Sequence, residues 1–376
     1  MKSIPLIRSF LEVLPLKQIL CLSGEPWSKL PGRTQQLMSR MRDVQILYFS
    51  PPAGRGDLSY RRKGQRVRPN ITAYTLPPAL LPVGEQVRPL FLRQQRKVSH
   101  FIAQRAAQHR FQAPLLWVTR PEHVHLLDGL SYDGLVYDCD REWEGQPPHW
   151  EGTLAHVADV VFVASPLLAD RLSPCSANIA LLPNGLNLPL FAPDAQHPDP
   201  LPQIRGPVLG WAGTIRGDLD LAPVLYAARE RPDWTFVLLG RVEDRPTFFH
   251  RLRRMPNVLL PGPRPAADVP AWLYRCDVLL DLLREDQPYG DVISPRMLEY
   301  LATGKPIVSM LWPDQVEQFP DVVYGAKDEA DFLRLCAHAL EEASGFALRR
   351  RQHAAEAGWP RRVSTVERIL TTAGLL

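Results

Sequence analysis

Short aliphatic runs that alternate with longer amphipathic stretches constrain the fold of this chain most. Runs such as QILCLS (residues 18–23), VQILYFS (44–50), GLVYDC (134–139) and VVFVAS (160–165) are separated by longer segments with helical periodicity. This alternation is typical of βα units, in which helices join parallel strands and cover the sheet. The sequence therefore predicts an α/β protein built on parallel sheets.

The same pattern places further elements in two series along the chain. In the first, strands are also predicted at residues 71–76, 114–119 and 178–183, with helices at 32–42, 88–109, 150–158 and 166–172. The second series has strands at 207–213, 234–240, 257–262, 277–283 and 305–310, with helices at 219–230, 328–343 and 363–370.

A proline-rich segment separates the two series. Residues 192–207 (APDAQHPDPLPQIRGP) contain five prolines and no helical or strand period, which indicates a linker. A chain of 376 residues also exceeds what one hydrophobic core usually accommodates. We therefore expect an N-terminal Rossmann-like domain (1–191), the linker, a second Rossmann-like domain (208–350), and a C-terminal helix (351–376) that is a candidate to cross back to the first domain.

Composition excludes several other classes of protein. With 45% hydrophobic and 22% charged residues, the chain is neither disordered nor fibrous. Its five cysteines are scattered, which argues against a disulfide scaffold and indicates a reducing compartment. Charged residues interrupt the apolar start of the chain, and no stretch is long enough to span a membrane, so a cytoplasmic location is expected, with the inner face of the membrane as an alternative.

The net charge of +4 hides a local excess of basic residues. Residues 1–120 contain 20 Lys and Arg against 5 Asp and Glu, and the densest run is residues 55–68 (RGDLSYRRKGQRVR). Such a patch suits an anionic surface, which could be lipid headgroups, a phosphate-bearing acceptor or nucleic acid. The run is equally consistent with an ordinary solvated face, and nucleic acid is the least expected partner because no aromatic platform accompanies the charges.

The segment at residues 290–309, GDVISPRMLEYLATGKPIVS, carries the most chemical information. Ser294 followed by Pro295 is a typical N-cap and first helical residue, so a helix is expected to begin there. Its N-terminus offers backbone N–H groups suited to a phosphate. Arg296 adds positive charge in the first turn, where acidic residues are normally preferred.

This segment resembles the donor-site motif of GT-B glycosyltransferases, in particular the retaining group that includes polysaccharide and teichuronic acid enzymes. The resemblance implies two Rossmann-like domains that face each other across a cleft. It also implies that Glu299 binds the ribose hydroxyls of a nucleotide sugar and that Asp291, in a place normally held by Glu, contacts the transferred sugar. Arg296 is a candidate catalytic residue because its positive charge could offset the charge of the diphosphate leaving group.

Other parts of the second series extend this resemblance. GWAGTI (210–215) is similar to the glycine turn that opens the family's donor domain, and PNVLLPG (256–262) to its base-binding loop. Small residues in such a turn allow backbone N–H groups to approach a diphosphate. The donor-binding candidates are Gly213, Thr214, Arg216, Arg241, Gly262, Ser294 and Glu299.

In the first series, residues 181–187 (LLPNGLN) and 137–140 (YDCD) resemble the end of the acceptor domain and a motif of the teichuronic branch. His123 comes just after a predicted strand, and Asp138 lies at the end of another. Ligands of open α/β sheets bind at such positions, so both are candidate catalytic residues. Trp27, Arg33 and Trp143 are candidate acceptor-binding residues, and the aromatic rings, like that of Trp150, could stack on sugars.

The expected function is transfer of a hexose or deoxyhexose from a nucleotide diphosphate sugar to an acceptor hydroxyl, in polysaccharide or glycolipid synthesis. No metal or cofactor is invoked, because arginines and helix N–H groups can stabilise the leaving diphosphate. The expected partners are the donor, a glycan or glycolipid acceptor, and an anionic membrane surface. The alternatives are a nucleotide-sugar epimerase and a non-catalytic binder or scaffold.

Overall fold

The computed structural model describes residues 17–29, 31–54, 56–79, 88–143, 146–192, 197–283, 291–310, 318–343 and 345–376. The interrupted apolar start of the chain, part of the linker, and Arg55 of the basic run lie outside these ranges. None of the helices within them is long and apolar enough to cross a membrane.

An eight-stranded sheet organises the first half of the chain. Its strands are β1 (Lys17–Leu22), β2 (Val44–Pro52), β3 (Gln65–Arg68), β4 (Ile71–Leu76), β5 (Leu115–Val118), β6 (Gly134–Cys139), β7 (Val160–Val163) and β8 (Ile179–Leu181). They lie in the order β3-β4-β2-β1-β5-β6-β7-β8. All neighbouring pairs are parallel except β3 and β4.

Helices cover both faces of this sheet, which explains why its central strands are continuous apolar runs. They are α1 (Arg33–Met38), α2 (Arg88–Gln108), α3 (Pro148–Val157) and α4 (Pro166–Leu172). The described residues of this half also form 3-10 helices at Ser59–Arg61, Pro121–Gly129 and Leu188–Phe191. In α2, Val98 and Ile102 pack into the core whereas Arg93, Arg96 and Lys97 face solvent.

A six-stranded sheet organises the second half, in the order β11-β10-β9-β12-β13-β14. Its strands, all parallel, are β9 (Val208–Ala212), β10 (Thr235–Leu239), β11 (Val258–Leu259), β12 (Val278–Asp281), β13 (Ile307–Met310) and β14 (Val323–Ala326). Its helices are α5 (Ala222–Glu230), α6 (Phe249–Leu252), α7 (Val269–Arg275), α8 (Pro295–Thr303), α9 (Glu329–Leu340) and α10 (Gly345–Ala355).

The last helix, α11 (Trp359–Thr372), returns to the first sheet. Its apolar face, formed by Trp359, Val363, Val366 and Leu370, packs in the core beneath β1, β5 and β6. A Cβ on Gly185 would meet the Trp359 ring at 2.5 Å, so the loop after β8 lies directly on this helix. The domain boundaries proposed from sequence stay a prediction.

The prediction of two parallel α/β sheets is confirmed, with local corrections. No strand was predicted in the basic run at residues 55–68, but it contains β3, which pairs antiparallel with β4 at the edge of the sheet. The arginine-rich stretch near residue 350 forms α10, and β14 was also missed. Trp150 lies in α3, where a helix was predicted, but its ring is buried and stacks on Phe91 instead of being open to a sugar.

Candidate functional site

Two backbone turns at the carboxyl ends of β9 and β10 lie in contact. The Gly213 N–H donates to the Leu239 carbonyl at 2.9 Å, and a Cβ on Gly240 would stand 1.6 Å from the Gly213 carbonyl oxygen. Only a residue without a side chain fits at Gly240. Gly213 itself is exposed, so its backbone is open to a ligand. Thr214 follows it and is half-buried.

The Arg296 guanidinium lies against this turn. A Cβ on Gly213 would come within 2.9 Å of Arg296 Nη1. Arg296 Nη2 also donates to Asp281 Oδ1 at 3.3 Å, and its guanidinium lies 5.0 Å from the centre of the Trp211 ring. The structure thus brings together Gly213 and Arg296, two residues singled out separately from the sequence.

The helix expected at Ser294 is confirmed as α8. The Ser294 hydroxyl accepts from the Met297 N–H at 3.1 Å, and Pro295 occupies the first helical position. The helix ends at Gly304, which has a left-handed conformation (φ 76°) suited to glycine. The first turn therefore presents its N–H groups and Arg296 at the carboxyl edge of the second sheet.

Glu299 lies on the same helix, one turn beyond Arg296. Its side chain is half-buried, and the carboxylate forms no hydrogen bond with any other residue that the structure describes. Burial raises the pKa of Glu299 to about 7, and the nearby positive charge of Arg296 limits the rise. A carboxylate of this kind is available to accept hydrogen bonds from ligand hydroxyls.

Asp291 lies at the contact between the two halves of the molecule. Its Oδ2 accepts from the Leu167 N–H, in the first turn of α4, at 3.1 Å. Its Oδ1 is buried and has no hydrogen-bond partner within the described ranges. One oxygen of the carboxylate is therefore used between the halves, and the other is free.

The remaining donor-side candidates lie at neighbouring strand ends. Arg216 and Arg241 are exposed and pair with acidic residues two positions later, Arg216 with Asp218 at 3.3 Å and Arg241 with Glu243. An anionic ligand would compete with these carboxylates. Gly262, beyond β11, has a φ of 78°, a conformation that favours glycine, and a Cβ there would meet no atom within 4 Å.

A groove of about 380 Å³ lies beyond β10 and β11 and was not predicted from the sequence. Its lining combines apolar side chains with two guanidinium groups and consists of Val242, Arg245, Phe249, Arg253, Val258 and Leu260. The only sequence signal was its proximity to the two strand ends. The lining suits a planar ring that carries polar atoms on its edge.

On the side of the first sheet, Arg33 and Asp138 form a buried ion pair. Arg33 Nε and Nη2 donate to Asp138 Oδ1 at 3.0 and 2.8 Å, and Nη2 also donates to the Leu182 carbonyl. Burial raises the pKa of Asp138, whereas Arg33 opposes that rise. An acceptor hydroxyl would have to displace Arg33 to reach this carboxylate, so the catalytic role of Asp138 and the binding role of Arg33 stay predictions.

His123 lies in the 3-10 helix after β5 and is 6% exposed. Its Nδ1 is buried without a hydrogen-bond partner in the described part of the chain. Burial lowers the pKa of His123 to about 4, against the opposing effect of Glu122. The imidazole is therefore neutral near pH 7, and burial makes it a weak base.

Trp143 lies between two guanidinium groups. Those of Arg120 and Arg141 are 5.0 and 5.6 Å from its ring centre. Arg120 also pairs with Glu122, and Arg141 pairs with Asp140 at 2.8 Å. Neither arginine was predicted from the sequence, although both follow strand ends closely.

The other aromatic candidate, Trp27, is half-buried and packs edge-on against Tyr48 at 5.1 Å. Its backbone N–H donates to Ser50 at the end of β2. Glu25 lies nearby in the same loop, and burial together with Asp140 raises its pKa. Among the described residues, no group of three or more His, Cys, Asp or Glu side chains could hold a metal ion.

Comparison with known proteins agrees with this arrangement. Residues 222–368 match the sequence profile of a family described as glycosyl transferase-like. The chain is 28% identical over 252 residues to TuaH of Bacillus subtilis (strain 168), a glycosyltransferase assigned to teichuronic acid biosynthesis. That alignment covers 60% of this chain and 63% of TuaH.

Solved structures show the fold. Sucrose-phosphate synthase of Thermosynechococcus elongatus superposes with a TM-score of 0.72 at 15% identity, over 95% of this chain and 98% of that one. HepE of Anabaena, solved in complex with UDP and glucose, gives a TM-score of 0.63 at 15% identity, over 95% and 100% of the two chains. The two-sheet architecture is that of GT-B enzymes.

Proposed function

We propose that this chain is a GT-B glycosyltransferase that transfers a hexose or deoxyhexose from a nucleotide diphosphate sugar to an acceptor hydroxyl. One observation carries this proposal: the open Gly213 turn, Arg296 and the first turn of α8 converge at one strand edge, and Glu299 on the same helix has no hydrogen-bond partner among the described residues. Backbone N–H groups and a guanidinium suit a diphosphate, and a carboxylate suits ribose hydroxyls.

The donor is proposed to lie along the carboxyl edge of the second sheet. Gly213, Thr214, Ser294 and Arg296 surround the diphosphate, and Arg216 and Arg241 exchange their acidic partners for it. The free Oδ1 of Asp291 accepts a hydrogen bond from the transferred sugar. The groove at Phe249 and Arg253, with Gly262 close to it along the chain, takes the base.

In the transfer itself, the bond between the sugar carbon and the diphosphate oxygen breaks and a bond to the acceptor oxygen forms. Negative charge grows on the leaving diphosphate, where Arg296 and the α8 N–H groups stabilise it. The acceptor proton goes either to the leaving phosphate, with retention of configuration, or to a general base, with inversion. His123, which follows β5 on the side of the first sheet, is the candidate base.

The acceptor is proposed to bind at the first sheet, near the half-buried Trp27 and Trp143 and the buried Arg33–Asp138 ion pair. TuaH is assigned to teichuronic acid synthesis and HepE was solved with UDP and glucose. By analogy, we infer that this chain uses a UDP-linked sugar in polysaccharide or glycolipid synthesis.

An anionic membrane surface is the proposed partner of the basic patch. Arg61, Arg62 and Lys63 are exposed between β2 and β3, and α2 contains no acidic residue. Exposed leucines accompany both segments, Leu58 in the first and Leu90 and Leu92 in the second. Cations mixed with exposed aliphatic side chains suit a surface of anionic headgroups above acyl chains.

Co-sedimentation with vesicles tests this partner. The wild type should pellet with vesicles that contain phosphatidylglycerol and not with pure phosphatidylcholine, and charge reversal at Arg61, Arg62 and Lys63 should reduce binding. A control variant reverses three scattered exposed cations, Arg229, Lys327 and Arg368. An equal loss of vesicle binding in both variants would mean that binding depends on net charge alone. If neither variant lost binding, the proposal of a membrane partner would be wrong.

The central proposal is tested by a thermal-shift screen of nucleotide sugars, because a ligand that binds the folded state raises the melting temperature by mass action. The tightest ligand is then measured by calorimetry with wild type and Glu299→Ala. Release of UDP from UDP-glucose should accompany binding. If the protein bound the donor but turned it over with no acceptor tested, a non-catalytic binder would be favoured. If Glu299→Ala bound the donor as tightly as the wild type, Glu299 would not be part of the donor site.

A further inference from the structure

Asn184 joins the two halves of the molecule through its side-chain amide. It lies in the loop after β8 and is 8% exposed. Its Oδ1 accepts from Arg33 Nη1 at 3.4 Å, on the side of the first sheet. Its Nδ2 donates to the Ile293 carbonyl at 3.0 Å, on the side of the second sheet.

Each contact connects to a group already placed in the site. Arg33 is the partner of the buried Asp138 carboxylate. Ile293 directly precedes Ser294, which caps the helix that carries Arg296 and Glu299. A continuous polar chain therefore runs from the end of β6, through Arg33 and Asn184, to the start of α8.

The neighbours of Ile293 attach to the first half as well. Asp291 accepts from the Leu167 N–H, and Val292 is buried in the hydrophobic core of the first sheet. Three consecutive residues before α8 therefore contact the other half. Asn184 makes the contact closest to the helix, and an amide fits because it accepts from a cation and donates to a carbonyl at once.

We propose that Asn184 is a positioning residue that holds the start of α8 in register with the first sheet. The effect on catalysis rests on the proposed function. The sugar held near Asp291 and the acceptor held near Asp138 must approach within reacting distance, and misplacement by about 1 Å costs on the order of 100-fold in rate. The structural consequence, that loss of the amide loosens the contact between the halves, does not depend on the reaction.

Asn184→Asp changes one atom of this chain of contacts. The remaining oxygen still accepts from Arg33, and Arg362, which donates to the Asn184 backbone carbonyl, lies close enough to favour the added charge. The second carboxylate oxygen replaces the amide nitrogen and faces the Ile293 carbonyl. Both atoms are acceptors, so the hydrogen bond to Ile293 is lost. Asn187→Asp is the matched control, since Asn187 lies in the same loop and its side chain, within the described ranges, accepts a hydrogen bond from Arg40 of the first half.

Three measurements on the full chain test the proposal: hydrogen exchange of the Leu167 amide, UDP-glucose affinity by calorimetry, and UDP release. In Asn184→Asp, we expect exchange at Leu167 to be about 10-fold faster, UDP release to fall on the order of 10- to 100-fold, and affinity to change less than about twofold. Asn187→Asp should match the wild type in all three.

The outcomes separate this inference from the proposed function. Unchanged exchange at Leu167 in a folded Asn184→Asp overturns the inference, as does a loss of UDP-glucose affinity as large as the loss of rate. If the wild type neither binds nor turns over any nucleotide sugar, the proposed function fails, and the exchange rates alone decide whether Asn184 holds the halves together.

Discussion

The carbonyl oxygen of Gly213 occupies the space that a side chain on Gly240 would need, 1.6 Å from the position of its Cβ. The two glycines follow neighbouring strands, β9 and β10, whose register pairs Ala212 with Leu239. Backbone contact between the two turns brings main-chain atoms rather than side chains to the proposed diphosphate site. The shape of this part of the site therefore depends on the absence of a methyl group.

Gly240→Ala should destabilise the protein. Because a methyl group cannot stand 1.6 Å from a carbonyl oxygen, one of the turns must move, and we expect the free energy of unfolding to fall by roughly 2–4 kcal/mol. Guanidinium unfolding measures this change. The control is Gly345→Ala at the start of α10, where a Cβ would meet no atom within 4 Å and no loss is expected. Equal midpoints for the two variants would contradict the close contact.

Removal of one member of the Arg33–Asp138 pair should cost more than removal of both. Asp138→Asn leaves the guanidinium buried without a counter-charge, and the expected loss is roughly 3–5 kcal/mol of unfolding free energy. The double variant Arg33→Met/Asp138→Leu should lose less than either single variant, Arg33→Met or Asp138→Leu, and denaturant titration of all three proteins measures these losses. Additive losses would mean that the pair is not coupled.

Donor affinity should depend on pH through Glu299. Because the pKa of this carboxyl is about 7 without ligand, it is mostly protonated at pH 6 and ionised at pH 8. An ionised carboxylate accepts from both ribose hydroxyls, so the affinity for UDP-glucose should rise as pH increases across this range.

Calorimetry at pH 6, 7 and 8 with Glu299→Gln checks this expectation, since the amide does not titrate and should bind more weakly at pH 8 with no pH dependence. Glu230→Gln, at the exposed end of α5, is the control. A wild-type affinity that is flat from pH 6 to 8 would argue against ribose binding by an ionised Glu299.

His123 should make the folded state sensitive to acid. The pKa of His123 is about 4 in the folded protein against an ordinary value of 6.5, so the unfolded chain takes up a proton at a higher pH than the folded one. Stability is therefore lost as pH falls from 6.5 to 4, by roughly 3 kcal/mol at most from this group. His123→Gln should reduce that slope in urea titrations at several pH values, whereas the exposed His149→Gln should not. Equal slopes in all three proteins would mean that His123 is not held neutral by burial.

The site was predicted from sequence only in part. Ser294 was identified because a capping pair is a local pattern, and Glu299 because the segment around it resembles a donor-site motif. Arg33 and Asp138 were each selected for cleft chemistry, but nothing in their spacing indicated that they neutralise each other. The groove at Phe249 was missed because its lining comes from two strand ends and one short helix.

The sequence alone determined two α/β units, through the alternation of strand and helix periods and the proline-rich break. It also determined a helix at Ser294 and a family resemblance. Each of these signals lies within a few consecutive residues. Only the tertiary structure decided that Arg296 lies against Gly213, that Asp291 meets Leu167, and that Asn184 spans both halves. These contacts join residues far apart in the chain, and their geometry depends on how the two sheets pack, which no local periodicity encodes.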